Sequence, residues 1–123
     1  MGKTNRSAGR PELRPRFRIT CGTKIAFGPG KADLLEQVAQ TGSIGAAAAR
    51  MGMSYMRAWS LIQEMNKCFK QPMIESVRGG RERGGAELTP TGRRVLALYR
   101  QLETDSLRTV RKDWQTLRKL LHH

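Results

Sequence analysis

The sequence predicts a mainly α domain with a small β wing, a winged helix-turn-helix followed by a long C-terminal helix. Three observations predict it. Between positions 41 and 88 the order reads helix, turn, helix, short strand and Gly/Arg-rich hairpin, TGSIGAAAARMGMSYMRAWSLIQEMNKCFKQPMIESVRGGRERGGAEL. Lysine and arginine number 23 against 10 acids, a net charge of +13, which favours an anionic polymer as partner. From position 93 to 123 there is neither glycine nor proline, as one long helix requires.

Taken in order, residues 1–16 are rich in Arg, Gly and Pro and are expected to be a disordered basic tail that meets phosphates without reading sequence. A winged helix-turn-helix domain is assigned to 17–92 and a dimerisation helix to 93–123. RFRIT and KIAFG alternate as one strand or a tight hairpin, which Gly28-Pro29-Gly30 ends. KADLLEQVAQT follows as an amphipathic helix with Leu34, Leu35, Val38 and Ala39 inward. Ser43 is a start signal for the next helix, whose small Ala47 and Ala48 let a crossing helix approach closely. Gly52 is the turn glycine between Met51 and Met53, and Ser54 caps a second helix with Ala58, Leu61, Ile62 and Met65 on its buried line. Pro72 is expected to end that helix, 74–77 reads as a strand, GGRERGG as a hairpin tip and 86–88 as the return.

In the final helix, Val95, Leu98, Tyr99 and Leu102 are expected to fold back on the first helix. Leu107, Val110, Trp114, Leu117 and Leu121 then form an apolar stripe with nothing to cover it, which a second copy would bury. The expected assembly is a homodimer.

Candidate DNA contacts follow from helix geometry. A helix in the major groove reads bases with its first turns, here Ser54, Tyr55, Met56, Arg57 and Ser60, with Ser43 at the start of the preceding helix. Arg57 suits the O6 and N7 of guanine, Met56 a thymine methyl, and Tyr55 and Ser60 a base or phosphate. Trp59 is assigned to the core. Arg78, Arg81 and Arg83 stand among four glycines, where the backbone turns sharply and arginine reaches a minor groove or a phosphate pair. The bland alternatives are a solvated helix face and a mobile loop, and Glu82 weakens the wing's positive field.

Other classes are disfavoured. The chain contains no apolar stretch suited to a secretory signal or membrane span, so a cytoplasmic, nucleoid-associated protein is expected. Met-Gly at the start lacks the Ser or Thr of a myristoylation site because Arg6 stands there, and the sequon at Asn5 has no consequence without export. Cys21 and Cys68 read as isolated reduced packing residues, and His122 and His123 as a frayed end rather than a metal site. No paired carboxylates, nucleophile with a base, ligand set or Gly-Lys-Ser/Thr phosphate loop points to an enzyme or a cofactor. Two other readings stay open, a weakly specific protein that coats DNA and an RNA binder. Seven aromatic residues are few for stacking on a single strand.

TGSIGAAAARMGMSYMRAWSLIQEMN, the wing ending in ELT, and TGRRVLALY resemble the N-terminal DNA-binding domain of the ModE molybdate-responsive regulators over roughly residues 20–103. The sequence is more distantly similar to LysR-type regulators, whose wing also returns through a Leu-Thr-Pro-x-Gly turn, here residues 88–92. The resemblance implies a winged helix-turn-helix that dimerises through its terminal helices, with operator contacts at Ser54, Tyr55, Met56, Arg57 and Ser60. Met56 replaces a Lys familiar in the family and Arg57 stands beside it, which implies a different operator. Full-length ModE proteins carry C-terminal molybdate-binding domains that would begin where this sequence ends, so molybdate sensing does not follow from the resemblance. An unknown effector at the dimer interface stays open.

Overall fold

The computed structural model describes residues 10–79 and 82–122. Residues 10–18 run without helix or strand into a hairpin of β1 (Ile19–Cys21) and β2 (Lys24–Phe27). The antiparallel pair turns at Gly22, whose φ of +66° is open to glycine at little cost. Helix α1 (Pro29–Thr41) begins two residues earlier than the apolar pattern suggested, because Pro29 sits in its first turn, where its missing N–H costs nothing. Its inner face holds Ala32, Leu34, Leu35 and Val38, whereas Ala39 is exposed. Lys31 takes a buried place instead.

Helix α2 (Ile44–Arg50) and helix α3 (Tyr55–Cys68) form the helix-turn-helix. Ser43 Oγ accepts from Ala46 N at 3.0 Å and Ser54 Oγ from Arg57 N at 3.0 Å, so both predicted starts are true N-caps. Gly52 has φ +67° at the turn, as a left-handed turn residue needs. Ala47, Ala48, Ala58, Ile62 and Met65 are buried, and Leu61, Met51 and Met53 pack against them from the rim.

The wing is longer than its alternating residues indicated. β3 (Ile74–Gly79) and β4 (Glu82–Leu88) extend the ladder into the Gly/Arg segment, since main-chain hydrogen bonds form there without any help from side-chain pattern. Its root is joined to the helix-turn-helix by Ala86 N donating to Gly42 O at 3.0 Å and by a bridge between Ser43 and Gly85.

Helix α4 (Pro90–Thr109) follows β4 with Thr89 as N-cap. The helix predicted to be continuous is interrupted at Val110 (φ −98°, ψ 12°), after which α5 (Arg111–Arg118) resumes. Tyr99 is buried, and Val95 and Leu96 pack on the core, but Leu98 and Leu102 are exposed. One helical face can touch α1. Leu98 and Leu102 lie about 60–100° round from Tyr99 at 100° per residue, outside that contact.

The core gathers Phe27, Leu34, Leu35, Val38, Met65, Met73 and Tyr99. Phe27 meets Tyr99 edge-on at 5.1 Å and Phe69 at 6.0 Å between ring centroids. The Tyr99 hydroxyl donates to Phe17 O at 2.6 Å and ties the entering chain to α4. Arg100 holds α1 and α4 together through Asp33 (2.9 Å) and Glu36 (2.6 Å), and pairs within α4 with Glu103 (3.2 Å). Burial works against its charge, but the hydrogen bonds it donates to Asp33, Glu36 and Glu103 prevail and raise its pKa above the ordinary arginine value.

Lys31 Nζ donates to Ile25 O and pairs with Glu64 at 3.0 Å, bracing the hairpin against α3. Lys31→Met strips the part-buried Ile25 carbonyl and the Glu64 carboxylate of their partner. The expected cost is about 1–3 kcal/mol in unfolding free energy, read by thermal melting. A variant as stable as the wild type would show that this brace carries no weight.

Candidate nucleic-acid interface

The side chains of α3 divide cleanly. Ala58, Ile62 and Met65 are buried, while Tyr55 (52% exposed), Met56 (69%), Arg57 and Ser60 turn outward along the first two turns. Four of the predicted base contacts therefore share one open face. Ser54 is also exposed, but its hydroxyl is occupied in capping, and the half-buried Ser43 performs the same task for α2. Capping orients α3 by satisfying its free amides, so these serines act on its geometry as well as offering an oxygen.

Trp59 was expected in the core and is 43% exposed. Its position explains the correction. It lies about 100° from Ala58 round the helix, on the flank next to Tyr55 and Met56, and the short Ala-rich α2 offers no cavity for an indole. A large aromatic at the edge of a charged face was the signal for surface use that the sequence reading set aside.

In the wing, Arg78 belongs to β3 and Arg83 to β4 by backbone, while Arg81 lies outside the described residues. The distal stripe is divided by the helix break: Leu107 precedes it, Val110 stands at it, and Trp114, Leu117 and Leu121 follow. All but the half-buried Trp114 are exposed.

Beside α3 lies a basic cleft that no local pattern of residues announces. Arg16, Arg18, Lys24, Lys31 and Arg57 line it, with Glu64 as the one carboxylate. Lys31's hydrogen bond outweighs burial and, with Arg57 and Lys24 nearby, lowers the Glu64 pKa below the ordinary glutamate value. The two thiols are not isolated: Cys68 lies near Cys21, and burial together with that neighbour raises the Cys68 pKa. Among the described residues no cluster of three His, Cys, Asp or Glu could hold a metal, and no helix is long and apolar enough to cross a membrane.

The sequence model for bacterial regulatory helix-turn-helix proteins of the lysR family matches residues 31–93, from α1 through the wing to the start of α4. The chain belongs to that family. This lysR-family domain is 44% identical over 90 residues to the molybdenum transport protein ModE of Azotobacter vinelandii, covering 73% of this chain and 33% of that one. It is 40% identical over 81 residues to the molybdenum-pterin-binding protein MopB of Rhodobacter capsulatus, covering 66% and 30%. With the DNA-binding transcriptional dual regulator ModE of Escherichia coli K12 it shares 40% over 76 residues, covering 62% and 29%. The chain thus spans about a third of the length of these relatives, and the matched part has the character of a ModE-like DNA-binding domain. The crystal structure of the CbnR_DBD-DNA complex superposes with a TM-score of 0.55 at 22% identity, covering 72% of this chain and 95% of that one. That likeness establishes the winged helix fold.

Proposed function

We propose that this lysR-family domain is the DNA-reading part of a sequence-specific transcriptional regulator that binds double-stranded DNA as a homodimer. One observation carries the reading: the first turns of α3 expose Tyr55, Met56, Arg57 and Ser60 together, while the helix is anchored from behind by Ala58, Ile62 and Met65. A helix 10–12 Å across fits the roughly 12 Å major groove, and its free face is lined with groups that suit base edges. Arg78, Arg81 and Arg83 are assigned to the backbone or minor groove alongside. The E. coli relative is described as a DNA-binding transcriptional regulator, and the fold neighbour was crystallised with DNA, both consistent with this assignment.

Selection of bound duplexes from a random pool tests it. A two-fold symmetric consensus is expected, and enrichment of no sequence would overturn the regulator in favour of a coat protein.

The dimer is assigned to α4 and α5, where Leu98 and Leu102 join Leu107, Val110, Leu117 and Leu121 as exposed apolar groups. So much exposed leucine on consecutive helices favours burial against a second copy. Light scattering is expected to give twice the chain mass at micromolar concentration. A stable monomer there would remove the dimer from the proposal.

A further inference from the structure

We infer that the β1–β2 hairpin and the chain entering it form a second DNA contact, a cleft beside α3 that holds the phosphates flanking the site read by α3. The inference rests on the DNA-binding reading above and adds a surface to it. The cleft encloses about 630 Å³ between the hairpin, the start of α1 and the exposed side of α3.

Its charge is the first argument. Five cations line it against one carboxylate, and that carboxylate is already paired with Lys31. Arg16, Arg18, Lys24 and Arg57 have no acidic partner among the described residues, whereas Arg14, Arg100 and Arg108 are each matched to a carboxylate. Like charges gathered in a concave site repel one another and concentrate anions there. The Glu64 pKa is lowered first by its hydrogen bond with Lys31, and the charges of Lys31, Arg57 and Lys24 add to that.

Geometry selects a nucleic-acid backbone over a single small anion. Arg57 belongs both to the cleft and to the open face of α3, so the two surfaces are continuous. When a helix fills a major groove, the groove's phosphate strands run along its flanks, where this cleft lies. Arg16, Arg18 and Lys24 are all exposed and come from the entering chain and β2, so the charges are spread along a path instead of converging on one point. The apolar Ile25, Met53 and Leu61 at its walls give a sugar something to rest against.

The test compares the intact chain with Arg18→Ala, Lys24→Ala and the double variant, measuring affinity for a selected duplex and for a random one over a range of potassium chloride concentrations. Each lost phosphate contact is expected to reduce the slope of log affinity against log salt by about 0.9 on both duplexes, with base preference unchanged. Arg18→Lys and Lys24→Arg should restore the slope, which separates charge from hairpin folding. Methylphosphonate substitution at flanking phosphates should abolish the difference between wild type and the double variant. An unchanged slope in a folded double variant overturns the cleft, as does a changed base preference. Inorganic phosphate at matched ionic strength shifting the Lys24 and Gly30 amide resonances, with no change in slope, would make it a small-anion site and also overturn it. Failure to select any sequence would overturn the regulator reading alone, since the slopes on random duplex still decide the cleft.

Discussion

Replacing Gly92 with alanine is expected to cost about 3 kcal/mol or more of unfolding free energy, because among the described glycines it has the closest backbone neighbour. A Cβ there would stand 2.2 Å from the carbonyl oxygen of Met73, which is backbone and cannot turn aside. That carbonyl is fixed from other directions. Thr89 N donates to it at 3.0 Å, and Thr89 Oγ1 donates to Pro72 O at 2.7 Å while accepting from Gly92 N at 2.9 Å. Relief would require α4 to move off the strand that leads into the wing, and Met73 and Leu88 would lose their packing. Thermal melting and circular dichroism read the outcome. A Gly92→Ala protein that melts within a degree or two of the wild type would show that α4 has room to shift.

Arg57→Ala is expected to weaken binding at the preferred duplex by about 5- to 150-fold, corresponding to roughly 1–3 kcal/mol, and to relax preference at one position per half-site. The relaxed positions should be symmetric, since a dimer presents its two reading helices about 34–36 Å apart. Folding should be preserved: Arg57 is exposed, and only its main-chain N–H is used, by the Ser54 cap. Binding to a panel of single-base variants separates two roles for the guanidinium. Weakened binding with an intact base preference would place it on the phosphates of the adjoining cleft and leave Tyr55 and Ser60 as the principal readers.

Much of this architecture was legible from residues because each start and stop had a chemical marker. Ser43, Ser54, Gly52 and the Leu88-to-Gly92 turn all act as such markers, and the helix-turn-helix emerges from them in correct order. Less legible were features that depend on contacts between distant segments. Lys31 looked like the polar first residue of a helix and is buried because the Ile25 carbonyl and Glu64 meet it from two other elements. Arg16, Arg18 and Lys24 read as general basic excess, and they become a site only when the hairpin sets them beside Arg57. Helical spacing puts Ala39 inside and apolar bulk favours the same for Trp59, yet both are exposed, because the face that each helix buries is decided by what packs behind it. The break at Val110 carries no glycine or proline to announce it.

The bonds at the base of the wing have a consequence for how such a domain can diverge. Gly42 O takes the Ala86 N–H, and Ser43 bridges Gly85, so both joints use main-chain atoms that every residue but proline supplies. A ladder held this way does not depend on the identity of the residues farther out. Substitution within GGRERG, ahead of the Gly85 that bridges Ser43, can therefore alter what the loop touches while the platform beneath it is kept. The contacts proposed for that loop can change independently of those proposed for the helix, as two separately tunable inputs.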